Sequence, residues 1–200
     1  EGHSISSTYL GSIINVGSTE SEIETYQILN GTEDVTNNYS ITCVKGVLEV
    51  TPRPIIIKPV DEVKVYDDTD LIPVNFEYTQ ESQYLLVDGH NISLDYIGSI
   101  RNVGIESSLI DDKTIKIENG TEDVTQNYSI VTVPGQLEIT PRPITIETGT
   151  SIKMYDGNEL VNSLYSIIDG TLVTGHIIDC YDFNNPINVG IHDNTVSVKI

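Results

Sequence analysis

The chain contains no Trp, two Cys and one Met, and its ten Lys and Arg residues face thirty Asp and Glu residues. The resulting net charge of −20 repels phosphate backbones and anionic lipid headgroups, so we expect no nucleic-acid partner. No apolar run approaches the roughly eighteen residues that a transmembrane helix needs, so we expect no membrane insertion. A surface with this charge keeps an extended secreted protein soluble.

The residues that are abundant favour strands. Val and Ile dominate an apolar fraction of 38%, and eleven Tyr supply most of the aromatic area. Short segments alternate apolar and polar residues at period two, which is typical of an antiparallel sheet with one solvated face. No amphipathic pattern of three helical turns is present. The sequence therefore predicts a mainly β fold with little or no helix.

An internal repeat organises the chain. Three blocks recur at a shift of 89 residues, the first without any change. These blocks are Asn-Gly-Thr-Glu-Asp-Val-Thr at 30–36 and 119–125, Asn-Tyr-Ser-Ile at 38–41 and 127–130, and the segment ending in Thr-Pro-Arg-Pro-Ile at 46–55 and 135–144. The shorter signals Lys-x-Tyr-Asp, Gly-His and Asn-Val-Gly recur at shifts of 86 to 89 residues. We infer tandem β modules of one design.

The repeat predicts where the modules begin and end. Residues 51–139 form one complete copy, residues 1–50 the C-terminal part of a preceding copy, and residues 140–200 the N-terminal part of a following copy. The alternative is that the true folding unit is offset from this frame.

Local signals predict three turns. Pro134-Gly135 fits a type II turn that would join a strand at 129–133 to one at 136–140 as a hairpin. Asn-Gly at 30–31 and again at 119–120 is a second hairpin signal. The Glu-Asp-Val-Thr segment that follows each Asn-Gly is compatible with one short helical turn.

Two Pro-Arg-Pro segments are the predicted inter-module joints. They consist of Pro52, Arg53 and Pro54, and of Pro141, Arg142 and Pro143. Two prolines around one residue restrict φ and remove two donors, so we expect a stiff, extended segment that cannot continue a sheet ladder. We expect each arginine to clamp carboxylates where the modules meet.

The combination of blocks resembles the MBG and YDG-type repeats of bacterial cell-surface adhesins. The resemblance rests on Thr-Pro-Arg-Pro-Ile-x-Ile, Lys-x-Tyr-Asp-Gly at 153–157, Asn-Val-Gly, and Asn-Gly-x-x-Asp-Val-Thr-x-Asn-Tyr-x-Ile, and it covers essentially the whole chain. It implies a β-grasp-like module repeated between a secretion signal and a surface anchor, both outside this sequence. An immunoglobulin-like β-sandwich is the alternative fold. Asp68 stands where the third copy has Gly157, so that turn is expected to differ between copies.

Cys43 and Cys180 fall at different positions in the repeat, which excludes a shared modular disulfide. Extracellular location permits a disulfide, but two buried free thiols are the expectation.

Metal binding has two sets of candidate residues. The recurrent Gly-His, at His3, His90 and His176, lacks a second His or Cys nearby, which favours a structural polar residue at a turn over a metal ligand. Asp67, Asp68 and Asp70 are the candidate Ca²⁺ ligands, although they do not match the twelve-residue calcium loop, and the alternative is a polar hairpin turn. Otherwise no cofactor is expected.

No nucleophile elbow, phosphate loop or dinucleotide fingerprint occurs, so we expect no enzymatic activity. Most Tyr recur at equivalent positions, which favours core or hydroxyl-anchoring roles over a sugar-stacking platform. The expected function is that of a spacer in a secreted, cell-wall-associated bacterial adhesin, with neighbouring repeats of the same chain as partners. The alternative is that the repeats themselves bind host surface glycans or matrix proteins.

Overall fold

The structure is a computed structural model and describes residues 2–200. Strands hold 46% of the residues and helical turns 3%, and no helix within residues 2–200 reaches seven residues. The mainly β prediction is therefore confirmed. The short helical turns are two 3-10 turns at Thr36–Asn38 and Thr125–Asn127. The Glu-Asp-Val-Thr segments overlap these turns only at the threonine, because Glu33–Asp34 and Glu122–Asp123 are short strands, so the helical turn lies later in the chain than expected.

The chain forms two compact units, each assembled from three segments. Unit 1 comprises Glu1–Val60, Pro73–Ile97 and Ser108–Gly135, and unit 2 comprises Asp61–Ile72, Gly98–Ser107 and Gln136–Ile200. Each unit contains one Pro-Arg-Pro joint together with residues from both sides of it. The units thus do not follow the repeat frame, and the boundaries at 50/51 and 139/140 stay a prediction from the sequence.

Eleven strands belong to unit 1. They are β1 (His3–Leu10), β2 (Gly17–Asn30), β3 (Glu33–Asp34), β4 (Gly46–Val50), β5 (Arg53–Pro59), β7 (Phe76–Tyr78), β8 (His90–Ser93), β9 (Tyr96–Ile97), β11 (Lys116–Asn119), β12 (Glu122–Asp123) and β13 (Tyr128–Thr132). Strand β2 pairs antiparallel with β1, β3 and β4. Strand β11 pairs antiparallel with β8 and β12.

Strand β5 lies between β13, to which it is parallel, and β7, to which it is antiparallel. Its alternating apolar residues Ile55 and Ile57 are fully buried. Ile55 joins Ile117, Val124 and Tyr128 in one hydrophobic cluster. The core of unit 1 therefore lies where β5 packs against β11, β13 and the residues between them.

Six strands belong wholly or almost wholly to unit 2, and β10 (Gly104–Ile110) runs from unit 2 into unit 1. The six are β6 (Glu62–Val65), β14 (Gly135–Thr140), β15 (Ile144–Thr148), β16 (Tyr165–Gly170), β17 (Asp179–Tyr181) and β18 (Ser197–Lys199). Strand β6 is parallel to β14, whereas β15 pairs antiparallel with β16 and β17 with β18.

The predicted Pro134-Gly135 hairpin is wrong. Strand β13 pairs with β5 and strand β14 with β6, both in parallel and in one register, since Tyr128 lies opposite Arg53 and Leu137 opposite Glu62. Gly135 does not adopt the positive φ that a type II turn requires. A Cβ at this residue would overlap the carbonyl oxygen of Pro59 and lie 2.8 Å from Ser108 Oγ, so Gly135 permits a close backbone approach.

The Asn-Gly turns are confirmed. Gly31 and Gly120 have φ of 63° and 64°, and each occupies the first position of a two-residue loop between paired strands. A positive φ at the first loop position alone is the arrangement of a type II′ hairpin turn.

The first joint was expected to lie outside any sheet, but its last two residues belong to one. Arg53 and Pro54 are the first residues of β5, opposite Tyr128 and Ser129. Successive residues of a strand direct their N–H groups to opposite edges, and position 54 faces the edge of β5 that pairs with β7. That pairing begins only at Ile57, so the lack of an N–H at Pro54 breaks no bond of the sheet. In the second joint, Arg142 and Pro143 precede β15 and stay outside it.

Candidate functional site

The recurrent Gly-His forms the same turn in the second and third copies. His90 N donates to Val87 O at 3.0 Å, and His176 N donates to Val173 O at 3.0 Å. The intervening glycines have φ of 82° and 90°, which is the positive φ that a type II turn needs at its third residue. The glycine of this signal is therefore explained by backbone geometry.

The histidine of the second copy anchors a buried tyrosine. His90 Nδ1 lies 2.6 Å from the hydroxyl oxygen of Tyr128, which also accepts a hydrogen bond from Val87 N at 3.1 Å. The two rings meet edge to face with centroids 5.8 Å apart. His3 and Tyr39 form the same pair in the first copy, with centroids 5.9 Å apart. These contacts agree with the structural role expected for Gly-His.

The third histidine has a different neighbour. Its equivalent of Tyr128 does not occur in this sequence, and His176 instead lies with its ring centroid 5.8 Å from that of Tyr66. The Gly-His turn is thus the same in the second and third copies, although the rings beside the two histidines differ.

The joint arginines bind carbonyl oxygens, which corrects the expectation that they clamp carboxylates. Arg53 Nε donates to Leu85 O at 2.7 Å, and its guanidinium lies 4.8 Å from the ring centroid of Tyr84. At the equivalent position, Arg142 Nε donates to Thr171 O at 2.6 Å and Nη2 to Thr171 Oγ1 at 2.7 Å. Each arginine therefore holds the segment that leads into the Gly-His turn of its own compact unit.

The Lys-x-Tyr-Asp box closes on itself. Lys64 Nζ donates to Asp67 Oδ1 at 2.7 Å, to Thr69 O at 2.7 Å and to Thr69 Oγ1 at 2.6 Å. The same Asp67 oxygen accepts from Thr69 N at 3.0 Å. These charge-assisted bonds, with Lys64 as the first cause, hold the pKa of Asp67 far below its usual range.

The third copy repeats this arrangement with different side chains in the turn. Lys153 Nζ donates to Asp156 Oδ1 at 2.8 Å, to Asn158 O at 2.7 Å and to Glu159 O at 2.9 Å. Lys153 is likewise the first cause of a lowered pKa of Asp156. The ammonium group supplies from within the module the positive charge that this oxygen-rich turn attracts.

The candidate calcium ligands have cationic partners inside the protein. Asp67 bonds to Lys64, whereas Asp68 Oδ1 lies 3.1 Å from Arg101 Nε and Asp70 Oδ1 lies 3.8 Å from Arg101 Nη1. The hydrogen bond from Arg101 also lowers the pKa of Asp68. Arg101, in neither joint, is thus the arginine that pairs with carboxylates. Among residues 2–200, no group of three His, Cys, Asp or Glu residues is arranged to hold a metal.

Asp68 and Gly157 both have a positive φ, so the expected difference between these turns is not found in this backbone angle. Asp68 has φ of 61° and Gly157 has φ of 78°. Asp tolerates the left-handed region better than most residues, which allows the copies to share a turn without sharing a glycine.

A bond network within the Asn-Gly block was not foreseen from the sequence. Asp123 Oδ1 accepts from Thr125 N at 3.0 Å and from Thr125 Oγ1 at 2.7 Å, and Thr125 Oγ1 accepts from Ile117 N at 2.8 Å. Asp34 and Thr36 form the same bonds at 2.9 and 2.6 Å in the first copy. The bonds from threonine lower the pKa of both aspartates. The spacing Asp-x-Thr before a 3-10 turn was the available signal.

The cysteines are free, and one expectation about them is wrong. Cys43 is exposed and Cys180 is partly exposed, so neither is fully buried. Cys43 lies in residues 40–45, which belong to no strand.

Each joint borders a concavity. In unit 1 a groove of about 450 Å³ is lined by Arg53 of the joint and by Asn15, Glu122 and Asn127, and in unit 2 a mostly apolar pocket measures about 160 Å³. In unit 1, Asn127 donates to Asn15 Oδ1 at 2.8 Å and accepts from Val16 N at 2.7 Å. Four equivalent pairs occur in both linings: Val16 and Val103, Arg53 and Arg142, Val87 and Val173, His90 and His176.

Comparisons with protein-family models, with curated proteins and with solved structures found no match. The resemblance to MBG and YDG-type repeats therefore stays a prediction, as do the choice between a β-grasp and an immunoglobulin-like module and the absence of enzymatic activity. Within residues 2–200, no helix is long and apolar enough to span a bilayer.

Proposed function

We propose that the chain consists of structural spacer repeats of a secreted, cell-wall-associated bacterial adhesin. The observation that carries this proposal is that the repeat-defining polar side chains bond inside the module, in equivalent ways in successive copies. Arg53 and Arg142 both hold a carbonyl oxygen, and Lys64 and Lys153 both close an acidic turn. Side chains engaged in this way maintain a module and are not presented to a ligand.

The charge of the chain supports the same proposal. A net charge of −20 gives neighbouring copies a mutual repulsion that opposes collapse of a repeated array. The parallel pairing of β5 with β13 begins at Arg53, so the chain enters a sheet directly after Pro52. Strand β4 ends at Val50 and β5 begins at Arg53, so the first joint has strands on both sides, which limits the angles that the chain can adopt there.

Small-angle X-ray scattering tests the spacer directly. We expect the maximum dimension of two concatenated 200-residue chains to be close to twice that of one chain. A maximum dimension that rises by only about a quarter, as for collapse into a sphere of twice the volume, would contradict a spacer.

Binding by the repeats themselves is the second candidate, and the groove in unit 1 is the observation that favours it. The side chains of Asn15, Asn119, Glu122 and Asn127 in its lining offer amides and a carboxylate beside apolar residues, which is a composition suited to sugars. Glycan and matrix-protein arrays probed with the 200-residue chain would reveal such binding. The absence of binding on both arrays would favour the spacer. Binding that is abolished by Asn119→Ala but unaffected by Asn158→Ala would locate the binding site in the groove.

A further inference from the structure

A hydrogen-bonded contact inside unit 1 links two successive copies of the repeat beside the first joint. In the repeat frame, Asn15 and Val16 belong to the first copy and Asn127 belongs to the second. Val16 N donates to Asn127 Oδ1 at 2.7 Å, and Asn127 Nδ2 donates to Asn15 Oδ1 at 2.8 Å. Because Val16 N can only donate, the amide of Asn127 must present its oxygen to Val16 and its nitrogen to Asn15.

Both sides of this contact are local structures that recur along the chain. Asn127 ends the 3-10 turn Thr125–Asn127, and its backbone N donates to Val124 O at 2.9 Å. The glycines of Asn-Val-Gly share one backbone conformation, with φ of 142° at Gly17, 153° at Gly104 and 149° at Gly190. Since each side is shaped by its own few residues, the contact joins two preformed turns and has little additional chain to order.

The contact completes a closed path of residues around the joint. Two links of this path are pairs of residues that lie opposite each other in neighbouring strands, one in β2 and β4 of the first copy and one in β5 and β13 of the second. The two copies are therefore attached at two points, by the covalent joint and by the asparagine contact. In order, the path passes through Val16, Gly17, Val50, Thr51, Pro52, Arg53, Tyr128 and Asn127.

The covalent joint alone leaves rotation between the copies open. Thr51 and Pro52 belong to neither β4 nor β5. The pyrrolidine ring fixes φ of Pro52, and a residue before proline favours extended backbone, but ψ of Pro52 and φ of Thr51 stay free to vary. A few torsions of this kind are enough to form a hinge between rigid parts. A second point of attachment removes that freedom.

We propose that Asn127 positions the second copy against the first, so that the asparagine contact, together with the Pro-Arg-Pro segment, sets the angle between successive copies. Asn-Val-Gly is then the docking turn of one copy, and the asparagine of the Asn-Tyr block is the residue of the next copy that binds to it. This inference deepens the proposed spacer and rests on it, since a fixed angle at each joint keeps a repeated array extended.

Distances between two spin labels, measured by double electron–electron resonance, test this role. One label is attached at Ser6→Cys in β1 of the first copy and the other at Lys113→Cys in the second copy. The background carries Cys43→Ser and Cys180→Ser, so that no other thiol is labelled. Both labelled positions are exposed and neither belongs to the closed path around the joint.

The informative variant is Asn127→Leu, which nearly keeps the size of the side chain but removes both hydrogen bonds. Its matched control is Asn38→Leu, because Asn38 is the equivalent residue of the first copy, ends the same 3-10 turn and takes no part in the contact. A milder variant, Asn15→Ala, removes one bond and leaves the acceptor of Val16 N in place.

We expect a narrow distance distribution in the labelled parent chain and in Asn38→Leu. Asn127→Leu should widen the distribution roughly twofold, since the torsions of the joint become free, and Asn15→Ala should give an intermediate width. Equal widths in Asn127→Leu and Asn38→Leu would overturn the proposal, as would a broad distribution in the parent chain.

A second pair of labels, at Asn91→Cys and Lys113→Cys, lies within the second copy and reports on its fold. We expect this distribution to stay narrow in every variant. Broadening of this pair in Asn127→Leu to the same degree as the pair between copies would mean that the asparagine holds only its own copy together, and would overturn the proposal. Scattering from two concatenated chains reports on the whole array, so it can contradict the spacer while the label distances still show a fixed joint.

Discussion

The first and second copies of the Asn-Gly block share nearly one sequence but differ in structure. Residues 128–132 form strand β13, whereas the equivalent residues 39–43 form none. Tyr128 is 7% exposed, and its counterpart Tyr39 is 45% exposed. The difference lies outside the block: β13 has β5 as a parallel partner, and no described strand occupies that place beside residues 39–43.

The features that do match between the copies are the local ones. Both blocks contain the two-residue turn with a positive φ at glycine, and both continue into a 3-10 turn. Asp34 and Asp123 bond to the threonine two residues ahead in the same way. Bonds within a few residues are therefore set by the sequence of the block, whereas its strand and burial depend on a partner about 75 residues away. This is the context dependence expected of β structure.

Leucine truncation should give the largest difference between the copies. Leu137 is fully buried and Leu48 is 36% exposed. We expect Leu137→Ala to lower the free energy of unfolding by about 3 kcal/mol and Leu48→Ala by about 1 kcal/mol, because only the first leaves a cavity. Urea denaturation measures both, and equal losses would mean that the two strands are equally packed.

Glycine substitution should separate the copies by a smaller amount. Alanine at Gly135 meets the Pro59 carbonyl and Ser108, whereas alanine at Gly46 comes only within 3.0 Å of the rotatable Ser21 Oγ. We expect Gly135→Ala to cost about 2 kcal/mol through overpacking, and Gly46→Ala to be close to neutral. Thermal unfolding followed by circular dichroism compares the two, and a Gly46 variant as damaged as the Gly135 variant would contradict the close approach.

Removal of the tyrosine hydroxyl tests the histidine anchor. Tyr128→Phe leaves the Val87 N–H without its acceptor and removes the hydroxyl beside His90 Nδ1, and we expect a loss of about 1 kcal/mol. Tyr39→Phe removes a hydroxyl from a half-exposed ring and should change the free energy of unfolding by much less. If both variants lose the same amount in urea denaturation, the burial of Tyr128 adds nothing to the anchor.

Acidification should change the stability of the fold by the smallest amount, and this effect should be common to the second and third copies. Bonds from Lys64 and Lys153 lower the pKa of Asp67 and Asp156 in the folded chain, so both carboxylates favour folding above the unfolded value of about 3.9. This contribution is lost as the pH falls through the folded pKa. We expect Asp67→Asn to flatten the decline in melting temperature below pH 4.

Carboxyl titration by NMR supplies the control for this prediction. Lys64→Met should raise the pKa of Asp67 toward its ordinary value and leave Asp156 unchanged. An Asp67 carboxyl that titrates near pH 3.9 in the wild-type chain would contradict the closed Lys-x-Tyr-Asp box.

Sequence reasoning succeeded where the determining contacts are short in range. The alternation of Val and Ile predicted strands, and Asn-Gly predicted turns with a positive φ at Gly31 and Gly120. The hairpin predicted at Pro134-Gly135 was wrong because the sequence does not reveal that β13 and β14 pair with β5 and β6. Gly135 is needed there because the backbone of Pro59 lies too close for a side chain.

The side-chain contacts could be predicted only in part. The recurrent Gly-His indicated a structural residue at a turn, but its tyrosine partner lies 38 residues ahead in the chain. The expected carboxylate partners of Arg53 and Arg142 were wrong, because these arginines meet carbonyl oxygens of loops 29 to 32 residues away. The spacing of residues in the sequence does not show which backbone carbonyl groups will lie close to an arginine side chain in the folded protein.

Amide hydrogen exchange at dilute protein concentration tests most directly whether a partner strand decides the state of the block. The amide of Val133 donates to Ile57 O at 2.9 Å, whereas no described strand occupies the place of β5 beside its counterpart Val44. We predict that Val133 exchanges roughly a hundredfold more slowly than Val44. Equal protection of the two amides would show that the block forms the same structure with or without its partner, and would contradict the account.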